Sequence, residues 1–521
     1  MMSLVLSLAL STSPAQLARE GETPPASPTV SSGSASPVTS SAMATPRFAL
    51  VVGVNDAVDE DLALLKFPDD DALAYARLFE LLGMDTVVVT RADDDTRALD
   101  PDRAARALPP TRAGLRAALA SLSAKIAASL ARGEQPELVF AYAGHGSVKG
   151  GVGYITLEDG RLTGQDLERL LVNDLGAART HLIIDACYSV FLAYHRGPGG
   201  DRRPAAGFSQ LRGLLQNPRV GLLLSTSATN LTHEWERFSA GVFSHLVRSA
   251  LYGAADVDQD RWIDYREVAA FVTNATGTIE NRRYRPSVYA KPPVSGDRLA
   301  FVGQEDLPRV HLGHTLRGRF LLEDGKGLRF ADFHHPGGDT ELLRPATDST
   351  LYLRSWDDGR ERVLPDAPGR VEVASLDVTE RPLGSRGAAE EAMEQLLAQG
   401  FSDEAVQAYA YPTPEGLSNL EVPVEPLPTW RLLSGWGAVG TGAALAGLGG
   451  VFTFLAVEAR MSVDDGAPHE DAAEANRAIA DGNLRAGAAY VGAAAAVAVG
   501  ATLLLWPSAP PETGLVEEGA P

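Results

Sequence analysis

Cys187, the only cysteine in the 521 residues, stands in LIIDACYS, two positions after an apolar run that ends at Asp185. Upstream, FAYAGHGS carries His145 between Gly144 and Gly146 at the end of another apolar run. A cysteine attacks carbonyl carbon as its thiolate and needs a partner that takes the proton. Histidine is that partner most often, because it exchanges protons near neutral pH. The flanking glycines allow a sharp turn, and the amide of Gly146 can face a developing oxyanion. Each piece alone also has a plainer reading. A free cysteine packs as a small hydrophobe, and a histidine between glycines can serve as a core or capping residue. Together they describe a nucleophile and its base.

Such a pair works only if the fold brings the two runs side by side. RFALVVGVN from Arg47, TVVVT from Thr86, ELVFAYAGHG from Glu137, THLIIDACYS from Thr180 and VGLLLSTSA from Val220 each read as strands. Between them, Asp69 to Asp71 open a helix with Leu73, Ala76, Leu78, Leu81 and Leu82 on one face. Thr111 opens another, with Leu115, Leu119, Leu122, Ile126 and Leu130 at helical spacing, and Thr163 with Asp166 forms a capping-box pattern. Continuously apolar strands alternating with helices predict an α/β fold with a mostly parallel sheet covered on both faces. Sites in such sheets form beyond the carboxyl ends of the strands, where His145 and Cys187 both fall.

FAYAGHGS and LIIDACYS resemble the two motifs of caspase-like cysteine peptidases, in particular the bacterial proteins related to metacaspases and orthocaspases. RFALVVGVNDA resembles that family's first strand, LKFPDDDALAYARLFELLG its first helix, and LLSTSATNLTHEWERFSAGVFSHLVRSAL its small-subunit segment. The resemblance covers residues 46–295 and implies a caspase-like peptidase domain there. It implies Cys187 as nucleophile, His145 as base and acid, and the amides of Gly146 and Cys187 as oxyanion hole, with no metal or other cofactor needed for bond chemistry. It further implies that Asp71 and Asp185 line the pocket for the residue before the scissile bond (P1), selecting Arg or Lys through charge-assisted bonds. The residues themselves also allow both aspartates to be caps. Three positions depart from the pattern: Ala143 replaces a serine, Tyr188 a histidine and Val190 a glycine. Two further readings therefore stay open, an inactive caspase-like binding or signalling module and a peptidase that cleaves after Asp.

DVDQDRWIDYRE places Asp256, Asp258, Asp260, Trp262 (through its carbonyl), Asp264 and Glu267 at the ligand positions of an EF-hand Ca2+ loop. Arg261 occupies the position that normally needs glycine, so the alternative is an acid-rich turn that keeps the shape without metal. Four arginines between residues 195 and 219 (Arg196, Arg202, Arg203 and Arg212) offer a basic-specific enzyme a place to cut its own linker; an ordinary solvated loop is the other reading. Residues 300–378 show short apolar runs separated by DGK and DDG turns and predict a small β-rich domain without catalytic residues. His334 and His335 have no partners at metal spacing and read as a turn. A helical and proline-rich linker, 379–430, follows.

The formal net charge of −21, with no basic face, excludes nucleic acid as a partner and leaves a protein or peptide substrate. Two uncharged stretches, 432–457 and 486–506, are each long enough to cross a bilayer and predict a transmembrane hairpin. Residues 1–20 resemble a signal peptide and 21–45 a Pro/Ser/Thr-rich tether. Arg460, Arg477 and Arg485 lie between the two spans, which by the positive-inside rule places that loop in the cytoplasm and the catalytic domain in the periplasm. Without the signal peptide, the catalytic domain faces the cytoplasm instead.

Overall fold

The apolar runs of the N-terminal half become neighbouring strands. The computed structural model describes residues 45–59, 62–149, 152–186, 213–225, 234–235, 240–280, 285–286, 288–380, 395–412, 429–462 and 468–505. The segments read as signal peptide and tether, the arginine-bearing linker and Cys187 itself lie outside these residues.

In chain order the first strands are β1 (Arg47–Gly53), β2 (Asp85–Val89) and β3 (Glu137–Ala143). An antiparallel insertion follows, made of β4 (Gly146–Lys149), β5 (Val152–Leu157) and β6 (Gly160–Thr163). Then come β7 (Arg179–Asp185), β8 (Val220–Ser225), the short pair β9 (Glu234–Trp235) and β10 (Ala240–Gly241), β11 (Trp262–Asp264) and β12 (Val288–Lys291). The six-stranded sheet has the order β2-β1-β3-β7-β8-β12, parallel except for β12, which runs antiparallel at the edge beside β8. It is therefore a mixed sheet flanked by helices.

Strand alternation sends successive side chains to opposite faces, and both faces are apolar. On one face Ala49, Val51, Val139, Ala141, Ile183 and Leu223 meet α1 (Pro68–Leu81), α6 (Val242–Ser249) and α7 (Tyr265–Thr276). On the other, Leu50, Val52, Phe140, Leu182, Ile184 and Leu222 meet α4 (Arg112–Ala131) and the residues that follow α5 (Gly164–Leu167). Two short helices, α2 (Asp94–Leu99) and α3 (Pro101–Arg106), join β2 to α4. Thr111 caps α4 by accepting from Gly114 N, and Thr163 and Asp166 form the expected capping box. At α1 the expectation fails: Phe67, whose side chain has no capping group, holds the cap position, and the acids sit inside the first turn. Asp69 and Asp71 are spent elsewhere, as the site shows.

The β-rich segment contributes β13 (Arg298–Phe301), β14 (Arg309–Leu312), β15 (Gly318–Asp324), β16 (Arg329–His335), β17 (Thr340–Leu343), β18 (Leu351–Ser355), β19 (Arg360–Leu364), β20 (Arg370–Glu372) and β21 (Thr379–Glu380). Its sheets have the orders β16-β15-β18-β19-β21 and β17-β14-β20. Val310, Phe320, Phe333 and Leu342 belong to the same apolar cluster as Ala72, Phe243 and Phe271, so this segment shares a core with the α/β part rather than building its own. α8 (Asp403–Ala408) closes that cluster through Val406.

Two helices near the C-terminus, α9 (Thr429–Met461) and α10 (His469–Leu505), are long and apolar enough to cross a membrane. Both extend beyond the stretches read from hydropathy, and Arg460, Arg477 and Arg485 lie within the helices rather than in a loop. The alanine-rich residues around Arg477 are strong helix formers, so α10 begins well before its apolar part. The buried residues of α9 are Gly435, Gly442, Gly449 and Ala456, and those of α10 are Ala486, Ala493 and Gly500, a seven-residue repeat on both partners. Small residues let the backbones approach closely; a Cβ at Gly442 would come 2.9 Å from the carbonyl oxygen of Ala493. Gly442→Leu should therefore separate the helices, reported by loss of a disulfide engineered between their exposed ends.

Candidate active site

β3 and β7 are hydrogen-bonded neighbours, with Ala143 registered against Asp185. The chain leaves the sheet at adjacent points, with His145 two residues past one and Cys187 two residues past the other. The pairing continues one residue beyond β3, since Gly144 N donates to the carbonyl of Asp185 at 3.2 Å. Gly144 has a φ of +154°, and a Cβ there would lie 2.6 Å from the Tyr142 hydroxyl, so only glycine fits this turn. The buried Tyr142 hydroxyl lies 2.9 Å from the carbonyls of both His145 and Thr156, tying the turn to β5.

His145 is only 8% exposed. Its Nε2 lies 2.6 Å from the carbonyl oxygen of Ala63, in the segment between β1 and α1. A carbonyl only accepts, so Nε2 carries the proton and the lone pair of the neutral ring sits on Nδ1. Burial lowers the His145 pKa below the ordinary imidazole value, with the Ala63 carbonyl and Asp59 opposing it. The segment carrying Ala63 is anchored by Val58 N to the Leu157 carbonyl (3.0 Å), Leu65 N to the Asn55 carbonyl (3.0 Å), and an ion pair between Asp59 and Arg161. Sequence reasoning missed Ala63, because a backbone acceptor leaves no residue-type signal. The segments after β1 and β3 meet where the strand order reverses, the usual place for a site in such sheets.

Asp71 and Asp185 converge on the start of α6. A Cβ at Gly241 would lie 2.6 Å from Asp185 Oδ2 and 3.2 Å from Asp71 Oδ2, so glycine makes room for both carboxylates. Gly241 N donates to Asp71 Oδ2 at 2.8 Å, and Ser244 N donates to Asp185 Oδ2 at 3.0 Å. Both acids thus satisfy amides at a helix N-terminus, where negative charge is favoured. Asp71 has a second partner that the sequence did not announce: Arg248 Nη1 lies 2.5 Å from its Oδ1, and each residue is 2% exposed. The same guanidinium lies 5.3 Å from the Tyr75 ring centroid. Asp185 is pushed up to about 7, by burial first and then by the charge of Asp71.

In the acid-rich loop, carboxylate oxygens of Asp256, Asp258 and Asp260 lie within 4.8 Å of one another. Gln259 and Arg261 have φ of +61° and +66°, so Arg261 adopts the left-handed backbone that glycine usually supplies. Asp264 and Glu267 are engaged as a capping box for α7, at 2.7 and 2.9 Å, and Asp260 accepts from Trp262 N at 2.7 Å. Burial, then neighbouring acids, pushes Asp256 up to about 6; in Glu267, burial and the Asp264 charge push the carboxyl up to about 9. His334 and His335 bond the Leu397 carbonyl (2.7 Å), and the Thr340 hydroxyl (3.1 Å) and Gly313 carbonyl (3.3 Å), respectively.

No family model matches this chain, and no curated protein matches it. Among solved structures, caspase-1 from Spodoptera frugiperda matches at 11% identity over 49% of this chain and 90% of its own, with a TM-score of 0.31. A structure of pro-sf-caspase-1 matches at 10% identity over 50% of this chain and 92% of its own, with a TM-score of 0.32. Likeness at that level carries no argument about activity. The functional reading rests on the residues and their register.

Proposed function

We propose that the chain is a caspase-like cysteine endopeptidase anchored in a membrane by α9 and α10. Cys187 is the nucleophile and His145 the base. The observation that supports this is the β3–β7 register, which brings the exits toward His145 and Cys187 side by side. The Nδ1 lone pair of His145, left open by the Ala63 bond, takes the thiol proton. The thiolate then adds to the scissile carbonyl, and the oxyanion draws on the amides of Gly146 and Cys187. His145 returns the proton to the leaving amine, and water hydrolyses the thioester. Asp71 and Asp185 form the floor of the P1 pocket and favour Arg or Lys there, with Asp185 the carboxylate that meets the cation.

The test is hydrolysis of peptides varied at P1 by the full-length chain in detergent, with Cys187→Ala as blank. The full chain is needed because truncation at residue 295 would strip the shared core. Cleavage after Arg or Lys that Cys187→Ala abolishes is the expected result. Cleavage after Asp alone would keep the peptidase and remove the acidic pocket. A folded chain that hydrolyses nothing would favour the binding-module reading.

We also propose that the Asp256–Glu267 loop binds Ca2+ weakly. Three gathered acids favour the cation; Arg261 and the competing cap roles of Asp264 and Glu267 oppose it. Ca2+ should raise the melting temperature only at about 0.1–1 mM or above, as in extracellular EF-hand-type sites, and Asp258→Ala should remove the effect. A melting temperature blind to Ca2+ would leave the loop as a metal-free turn.

A further inference from the structure

We infer that Arg248 is a specificity-determining residue: an internal guanidinium that neutralises one of the two pocket carboxylates and so limits the charge available to a P1 side chain. The inference rests on the proposed peptidase site.

Its basis is the arrangement around the start of α6. Two carboxylates alone would form a strongly anionic floor. Here Asp71 is already closed by Arg248 at 2.5 Å and by Gly241 N at 2.8 Å. Arg248 is 2% exposed, stacked near Tyr75, and its Nε has no hydrogen-bond partner among the described residues. An arginine keeps its charge when buried, so it is a fixed cation beside the pocket rather than a surface residue that solvent screens. Asp185 is the remaining carboxylate; one of its oxygens accepts from Ser244 N at 3.0 Å. Both aspartates come close to the same point at Gly241, so any P1 cation reaching Asp185 also experiences the Arg248 charge. Attraction to Asp185 and repulsion from Arg248 then partly cancel.

α6 cannot easily turn to withdraw this charge. One helical turn before Arg248, His245 Nε2 lies 2.7 Å from Asp332 Oδ2 of β16, and the backbone N of Asp332 donates to Ser249 Oγ at 3.0 Å. The β-rich segment thereby fixes the helix that carries the internal cation. Asp332 is a positioning residue for the pocket in this sense.

The experiment compares two peptides that differ only at P1, one with arginine and one with its uncharged isostere citrulline. Their binding to full-length Cys187→Ala chain in detergent is measured by calorimetry, so the result does not depend on turnover. The wild-type pocket should prefer arginine by no more than about tenfold. Arg248→Gln should raise that preference about tenfold or more, as expected when a like charge a few ångströms away is removed. Asp71→Asn should instead shift the preference toward citrulline, and Asp71→Asn/Arg248→Gln should return it to the wild-type value. If Arg248→Gln does not fold, the other two variants decide the matter. An unchanged ratio in folded variants, a wild-type ratio near a thousandfold, or no binding of either peptide overturns the inference. Hydrolysis by the chain with Cys187 intact is read separately. Expected binding ratios without hydrolysis would remove the peptidase reading and keep the pocket assignment; hydrolysis with unmoved ratios would do the reverse.

Discussion

His145→Ala should lower kcat/KM by about 10²–10⁴-fold, the usual contribution of a positioned acid–base group. The variant should still fold, since His145 sits at a strand exit and its one side-chain bond among the described residues is to the Ala63 carbonyl. The wild-type pH profile carries a second expectation. The neutral ring is the working base, and burial lowers its pKa. As pH falls, the base form therefore persists below the ordinary imidazole value of about 6.5 before protonation removes it. The acid limb of kcat, read at saturating peptide so that the Asp185 carboxyl, pushed up to about 7 in the free chain, does not set it, should lie below that value. An acid limb above pH 7, or a His145→Ala variant that keeps a tenth of the wild-type rate, would remove His145 from the reaction.

The parts of this site that were legible in the sequence are those that side-chain type and periodicity can encode. β1, β3, β7 and β8 are continuous apolar runs, and buried parallel strands leave that pattern. The turn at Gly144 and His145 was marked by glycine. The meander of β4 to β6 was not read, although EDG at Glu158 to Gly160 is a turn signal, because its runs are short and interrupted by glycines. Ala63 was invisible because its contribution is a main-chain oxygen. Arg248 was invisible for a different reason. An arginine at a helical position reads as solvated, and only the tertiary packing of α1 against α6 gives it a buried carboxylate. The same packing explains why Asp71 does not cap α1, whereas Asp69 is engaged by the segments after β1 and β2. Asp69 accepts from Asn55 Nδ2 at 2.7 Å and Asp93 N at 2.8 Å, while Asp71 turns to α6.

Replacing Asp332 should have the largest effect on stability, and it should reach the site as well. Its fully buried carboxylate accepts from His245 Nε2 at 2.7 Å, Trp356 Nε1 at 3.0 Å and Arg329 Nε at 2.5 Å. Asp332→Ala would take away the carboxylate paired with the Arg329 guanidinium, itself 4% exposed at the side chain. Removing one partner of a buried pair costs about 3–5 kcal/mol. Asp332→Asn, which keeps the shape and some of the bonds, should cost less. Acid should act on the same cluster. The His245 pKa is pushed down to about 4 by burial, with Asp332 pulling the other way. Between about pH 6.5 and 4 the unfolded chain therefore binds a proton that the folded chain refuses, so stability falls as pH falls through that window. A His245→Gln chain should show a shallower loss over the same range. Because His245 and Arg248 lie on one face of α6, loosening Asp332 should also move the arginine-over-citrulline preference at P1 in the direction that Arg248→Gln does. Thermal melts of Asp332→Ala that match wild type at pH 7 would show that the β-rich segment neither stabilises α6 nor sets the pocket.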